Sequence, residues 1–368
     1  MTDSDLLFLD AAIELARNGL YSTTPNPRVG CVLVRDGKVI GRGWHRRAGE
    51  PHAEASALAN ARTVDANHPL EGATSYVSLE PCSHHGRTPP CADALIAARV
   101  ARVVVASLDP NPKVAGQGIE RLRNAGIRVD VAERPAAVEL NKGFFRRFTQ
   151  QRPWVRIKVA ASLDGRAATA SGESQWITGP DARADGQYWR ARSCAIVTGI
   201  GTVLADDPHL SVRLPQYSVD GVIRQPLRVV VDSTLRTPPA AKLFQTPGPV
   251  LIVGDAKANP AKQALVDAGA EVMQADTRAD LDGLWADLAA RGINEVLVEA
   301  GPTLSGEVFR LGLWDEAIVY LAPKLLGRNG RPFADLSVER LADAISGHFA
   351  DVQRIGDDIR MRILRIQA

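Results

Sequence analysis

No stretch of this 368-residue sequence approaches the roughly 18 consecutive apolar residues that a membrane-crossing helix needs. The opening residues, MTDSDLLFLD, place acidic side chains where a secretory leader carries basic ones, and no long apolar core follows. Four cysteines in so long a chain make no disulfide framework. These shortages predict a cytoplasmic protein with reduced thiols and no membrane partner. An excess of one charge is missing too: 44 basic residues against 42 acidic ones leave a net charge of +2. A broad nucleic-acid footprint needs a basic surplus, so no nucleic-acid partner is expected. A local basic pocket for one phosphate is still allowed.

What is present is ordinary globular material, 45% hydrophobic and 23% charged, in a chain longer than most single domains. Leu6, Leu9, Ile13 and Ala16 recur at helical spacing and predict a helix over 4–18. Asp36-Gly37 between two apolar runs predicts a hairpin. A helix over 51–61, a strand over 75–79, a helix over 91–98, a strand over 102–107, a helix over 118–124 and a strand over 128–131 follow. This is a layered α/β domain over residues 1–146. After a basic and aromatic junction, Arg152-Pro153 restarts the alternation, and a second domain is expected over 152–368. Its strands are predicted near 154–161, 194–198, 227–231, 249–253, 270–273, 294–298, 347–353 and 358–366. Its helices are predicted near 180–191, 279–290 and 303–311.

Three short motifs of the first domain belong together. His52-Ala53-Glu54 lies at a helix start, Glu80-Pro81-Cys82 follows a strand, and Cys91 opens the next helix. One imidazole and two thiolates are good zinc ligands, and a fourth position left to water marks a catalytic centre. Cys91 in a helix's first turn feels the positive end of the dipole, which favours the thiolate. His84 and His85 offer other imidazoles, but Cys91 fits better as the third ligand. Glu54, beside such a metal, is placed to move protons from water to a ring and to departing ammonia. The chemistry expected is hydrolytic removal of an amino group from a nitrogen heterocycle.

The His-x-Glu and Pro-Cys elements resemble the cytidine-deaminase-like superfamily, whose cysteines are normally two residues apart. Here eight residues separate Cys82 from Cys91, and the loop EPCSHHGRTPPC together with TPNPRVG is similar to the deaminase half of the bifunctional riboflavin-biosynthesis deaminase/reductases. That resemblance implies Asn26, His45, His84 and Arg87 as the lining of the deaminase substrate pocket. Asn26 offers a donor and an acceptor to a pyrimidine edge, and Arg87 a charged fork to a phosphate.

From its residues alone the second half reads as an α/β domain with an anion site expected at the turn Val298 to Leu304, where a strand meets a helix N-terminus. No Gly-x-Gly-x-x-Gly follows its first strand, so an ordinary dinucleotide fingerprint is absent. The stretch WVRIKVAASLDGR and those that follow it are similar to the reductase half of the same family. The resemblance implies an N-terminal cytidine-deaminase-like three-layer domain and a C-terminal dihydrofolate-reductase-like α/β domain using NADPH. Ala160, Trp176, Thr202, Asp206, Ser233, Gly301, Pro302, Thr303, Leu304, Ser305, Gly306 and Glu307 then match cofactor contacts. Ser174, Arg190, Leu210, Arg213 and Glu299 match positions that hold a substrate phosphate, for which paired arginines are suited. The substrate implied is a small phosphorylated pyrimidine, 2,5-diamino-6-(ribosylamino)pyrimidinone 5′-phosphate, deaminated first and then reduced from ribosyl to ribityl. Association of like chains is also implied. The rival readings are a nucleic-acid or nucleoside deaminase with an accessory binding domain, and a zinc-stabilised regulatory protein without activity.

Overall fold

Thr2 starts the first helix: its hydroxyl accepts the Asp5 N–H while the Asp5 carboxylate accepts the Thr2 N–H. From there the computed structural model describes residues 1–64, 70–84, 89–255, 257, 260–275 and 280–366. The chain divides into two units, Met1–Gln151 and Arg152–Ala368.

The first unit runs α1 (Asp3–Arg17), β1 (Gly30–Arg35), β2 (Lys38–Trp44), α2 (Ala53–Val64), β3 (Thr74–Val77), α3 (Cys91–Ala97), β4 (Arg102–Val105), α4 (Gln117–Asn124), β5 (Arg128–Val131), α5 (Pro135–Leu140) and α6 (Lys142–Gln150). Its sheet has the order β2-β1-β3-β4-β5, antiparallel through β3 and parallel from β3 to β5. Period-two alternation sorts β1 between two cores. Cys31 and Leu33 pack with Ala57, Leu58, Leu95 and Leu122, while Val32 and Val34 pack with Leu9, Ile13 and Ala137. Helices therefore cover both faces.

The seat of α2 is set by two glycines on one face of β2. A Cβ on Gly43 would lie 2.3 Å from Ala57 N, and one on Gly41 would lie 2.5 Å from Ala57 O. With Ala53, Ala57 and Ala61 facing them, the helix backbone rests directly on the strand. The helix begins at Ala53. Pro51 and His52, expected inside it, instead form the entering loop.

The second unit runs β6 (Trp154–Ser162), β7 (Arg166–Ala168), α7 (Pro180–Arg192), β8 (Ala195–Gly199), α8 (Ile200–Asp206), β9 (Leu227–Val231), α9 (Lys242–Gln245), β10 (Val250–Gly254), α10 (Ala261–Asp267), β11 (Ala270–Gln274), α11 (Leu281–Ala290), β12 (Glu295–Val298), α12 (Pro302–Arg310), β13 (Glu316–Ala322), β14 (Arg331–Pro332), β15 (Gly347–Ile355) and β16 (Asp358–Arg365). Its main sheet has the order β11-β10-β9-β8-β12-β6-β13-β16-β15. Strands are parallel from β11 through β13, and β16 and β15 close one edge antiparallel. Val155, Ile157, Val159 and Ala161 point to the core under α11 and α12, leaving Arg156, Lys158, Ala160 and Ser162 for the other face of β6.

Several features were not anticipated. Residues 142–150 form the helix α6 rather than an open junction. The strand β13 lies next to β6 in the middle of the sheet. Short helices α8 and α10 connect strands that the pattern had joined by loops. Among the described residues no helix is long and apolar enough to cross a membrane.

Candidate active sites

In the first unit the loop after β3 and the starts of α2 and α3 supply one cluster. His52 Nδ1 lies 3.5 Å from Cys82 Sγ and 3.3 Å from Cys91 Sγ, and the three ligand atoms all fall within 4.8 Å of one another. Tetrahedral zinc with bonds of about 2.0–2.3 Å separates its ligand atoms by roughly 3.5 Å, so this donor set fits zinc closely. The Cys91 N–H, in the first turn of α3, donates to Cys82 Sγ at 3.3 Å. The Cys91 side chain holds the Cys82 thiol well below its ordinary value, with burial opposing and His52 assisting, while Cys91 itself is pushed up by the same pairing. A thiolate is what a metal requires.

Glu54 sits on α2, 2% exposed. Burial pushes its carboxyl up to about 7, the Cys82 charge adds to this, and His52 opposes it. A carboxyl of that strength beside a metal site exchanges protons readily near neutral pH. Above it, His45 Nδ1 faces Pro51 O at 3.2 Å and Nε2 faces Asn26 Nδ2 at 3.0 Å. The carbonyl can only accept, so Nδ1 carries the proton and Nε2 accepts from Asn26. Burial brings His45 down to about 4, which keeps it neutral. The His45 and His52 rings meet edge to face, 4.9 Å between centroids. Asn26 and His45 thus join the metal cluster. His84 is exposed in the loop beyond Cys82, and Arg87 lies outside the described residues.

In the second unit the carboxyl ends of parallel strands gather the other named residues, the usual place for a ligand crevice in such a sheet. Glu299 follows β12, and Arg190 of α7 grips it with Nε to Oε1 at 2.7 Å and Nη2 to Oε2 at 2.8 Å. Burial pushes the Glu299 carboxyl up, but the charges of Arg190, Lys158 and Arg213 win and hold it at about 2. Arg213 is exposed, and its backbone N–H donates to Gln187 Oε1 at 2.9 Å. The buried Leu210 takes φ +48° at the bend leading to it. The Ser174 hydroxyl donates to Asp206 Oδ1 at 3.3 Å.

Thr202 Oγ1 accepts the Gly301 N–H at 3.0 Å, which ties the start of α8 to the N-cap of α12. Pro302 occupies the first helical position, and the nine-residue α12 carries Thr303, Leu304, Ser305, Gly306 and Glu307. Of these Ser305 donates to Ala300 O and Glu307 pairs with Arg310, while Gly306 packs so tightly that a Cβ would lie 2.2 Å from Asp335 O. Thr303 is exposed at the helix entrance, where backbone N–H groups suit an anion. Ala160 lies near the end of β6, and Ser233 just past β9. Trp176 is 63% exposed, with the Arg183 guanidinium 4.6 Å from its ring centre and Lys324 Nζ on its carbonyl at 2.8 Å.

The sequence reading gave Lys158 no role, yet it lies beside Glu299 and Arg190 with its Nζ 5.8 Å from the Tyr320 ring centre. Burial lowers its pKa, with Glu299 opposing. Its signal was available: a lone amine on the face of β6 that also carries Ala160.

Two family models divide the chain much as the two units do. Residues 2–107 match the cytidine and deoxycytidylate deaminase zinc-binding region, and residues 153–361 match the RibD C-terminal domain. The riboflavin biosynthesis protein RibD of Escherichia coli (strain K12) is 46% identical, over 98% of this chain and 99% of its own. This chain belongs to the RibD family. A structure of Acinetobacter baumannii RibD superposes with a TM-score of 0.90 at 46% identity, covering 99% of both chains. A Thermotoga maritima diaminohydroxyphosphoribosylaminopyrimidine deaminase/5-amino-6-(5-phosphoribosylamino)uracil reductase gives 0.87 at 32% identity, again over 99% of both. The chain is therefore a bifunctional deaminase and reductase of riboflavin biosynthesis, with a cytidine-deaminase-like first half and a reductase second half. Zinc serves the first activity and NADPH the second. The reading as a nucleic-acid deaminase is not favoured.

Proposed function

We propose that the first unit hydrolyses the 2-amino group of 2,5-diamino-6-(ribosylamino)pyrimidinone 5′-phosphate and that the second reduces the ribosyl product to its ribityl form. The observation that carries the first half is the convergence of His52, Cys82 and Cys91 beside the buried Glu54. His52, Cys82 and Cys91 would hold zinc, which when bound makes water a nucleophile near neutral pH. Glu54 takes a proton from that water and passes protons to the ring nitrogen and to the leaving ammonia. Asn26, its amide fixed by the neutral His45, reads the pyrimidine edge. His84 and Arg87 are assigned to the same substrate, Arg87 to its phosphate.

In the second unit Arg190 and Arg213 hold the phosphate of the sugar, with Ser174, Leu210 and Glu299 shaping the pocket. NADPH, when bound, would be the source of the hydride. Lys158, the half-buried amine beside Glu299, would hold the proton that the sugar oxygen needs as the ring opens. Thr202 and the Gly301–Glu307 turn serve the dinucleotide, with Ala160, Trp176, Asp206 and Ser233 around it. Two cysteines serving as thiolates favour a reducing compartment, so we place the chain in the cytoplasm. The edge hairpin favours pairing of like chains: Phe349, Val352 and Ile359 are 65%, 56% and 45% exposed on it.

Glu54→Gln tests the central assignment. The variant should keep its zinc, release no ammonia, and still oxidise NADPH when given the deaminated intermediate. Ammonia release at the normal rate would remove Glu54 from the mechanism.

A further inference from the structure

Glu80 lies two residues before Cys82, and its carboxylate is buried, the residue only 4% exposed. Oε2 accepts the backbone N–H of Gly116 at 3.0 Å and of Asp109 at 3.3 Å. Oε1 accepts that of Gly118 at 3.1 Å and of Ile119 at 3.4 Å. One side chain therefore gathers amides from across the connection between β4 and α4. Gly118 and Ile119 belong to the first turn of α4, where helix N–H groups have no intrahelical partner.

Helix capping alone does not call for this arrangement. A local Ser or Asp would cap α4, but its N-cap is Gly116, which has no side chain to offer. The acceptor comes instead from the residue that leads into a metal-ligand turn. The two segments also touch directly: a Cβ on Gly118 would lie 1.8 Å from Pro81 O, and the Glu80 N–H donates to Ser107 O at 2.9 Å. The Pro81-Cys82 turn and the 109–118 loop are thus fixed to each other through one charged group, whose hydrogen bonds are the strong kind. Asp109 heads that loop, buried, with its Oδ1 accepting the Asn111 N–H at 2.8 Å.

We propose that Glu80 is a positioning residue of the deaminase, which holds the 109–118 loop as a wall of the substrate pocket at a fixed place relative to Cys82. This rests on the deaminase reading of the first unit given above. Both oxygens of Glu80 are taken up by backbone amides, so its influence on the site would pass through the loop.

Glu80→Gln keeps the length of the side chain but turns an NH2 group toward two backbone N–H donors. The variant should retain zinc, and its KM for the pyrimidine substrate should rise about tenfold or more while kcat stays within about threefold. Hydrogen exchange at Gly116, Gly118 and Ile119 should accelerate, and NADPH oxidation on the deaminated intermediate should not change. An unchanged KM, or a loss of activity that merely follows loss of zinc, overturns the proposal. Should that variant fail to fold, Glu80→Asp gives a weaker form of the same KM-led loss; a kcat-led loss at normal KM overturns it. No ammonia release from the unsubstituted chain would overturn the deaminase reading and this proposal with it, whereas a deficit confined to the Glu80 variants separates the two.

Discussion

Arg190 and Glu299 meet through two parallel hydrogen bonds of 2.7 and 2.8 Å, with Lys158 close enough for its charge to help hold the Glu299 carboxylate ionised. The Nη1 group of Arg190 also reaches Ser211 O at 3.2 Å, so the guanidinium proposed to meet the sugar phosphate is held in one orientation. Glu299 therefore orients Arg190 and favours the charged form of Lys158 against the effect of burial.

Replacing Glu299 by Gln should act through Lys158 as well as Arg190. The lost carboxylate no longer favours the ammonium, so the alkaline limb of the NADPH-oxidation pH profile moves to lower pH. Leaving Arg190 without its charged partner in a partly buried place costs on the order of 2 kcal/mol of stability. Steady-state rates across pH, with ammonia release as an internal control, measure this. A profile identical to the parent's would show that Glu299 does not govern Lys158.

Asp109 gives a pH dependence of the opposite sign to an ordinary salt bridge. Burial raises its carboxyl to about 7, with Glu80 and Cys82 adding to the shift and the Asn111 N–H and Arg147 opposing it. The folded state then binds this proton more tightly than the unfolded chain does, so stability declines as pH rises from about 4 toward 7. Asp109→Asn removes that decline. At constant zinc, the advantage of Asn over Asp should grow across this window by something on the order of 3 kcal/mol. Hydrogen exchange of the slowest first-unit amides reads it. Parallel curves for the two proteins would refute the assignment.

Chelation should separate the two activities. With the metal removed, or with Cys91→Ser in its place, ammonia release should fall by about a thousandfold or more, since the water loses its activation. NADPH oxidation on the deaminated intermediate should persist, because that chemistry draws on Arg190, Lys158 and Glu299. Zinc added back should restore ammonia release to the chelated protein but not to Cys91→Ser. Equal loss of both activities would mean that the metal supports the whole chain.

The first unit was the more legible half because its signals are local. The turn at Asp36-Gly37, the His52-Ala53-Glu54 motif and the proline-flanked cysteines each announce themselves within a few residues. In the second unit β13 escaped because EAIVYLA is buried at every position but Leu321 and shows no alternation to distinguish strand from helix. Segment 142–151 looked like a junction because its phenylalanines and arginines are mixed within a few residues. In α6 Phe144 and Phe148 meet edge to face, 4.9 Å between centroids, with the Arg147 guanidinium 4.6 Å from the Phe148 ring centre. Glu80 was legible only as a neighbour of Cys82. Its partners at 109–119 are some thirty residues away and are backbone amides, which carry no identity in a sequence.

Gly43 offers a test of how the fold delivers Glu54 to its place. A Cβ at this position would lie 2.3 Å from Ala57 N and 2.4 Å from Ala53 O, both backbone atoms of α2 that cannot swing aside as a side chain would. Gly43→Ala must therefore lift the helix that carries Glu54, while the metal ligands Cys82 and Cys91 belong to other elements. Displacement of about 1 Å at a reacting group is enough to lose roughly a hundredfold in rate. The expected outcome is a kcat-led loss of ammonia release with zinc partly retained and the reductase untouched. Gly37→Ala makes the control: that glycine has no atom near its would-be Cβ and sits at φ +73° in the hairpin turn, so its cost is backbone strain alone. If both variants lose stability equally and neither loses deamination, the seating of α2 on β2 is not what places Glu54.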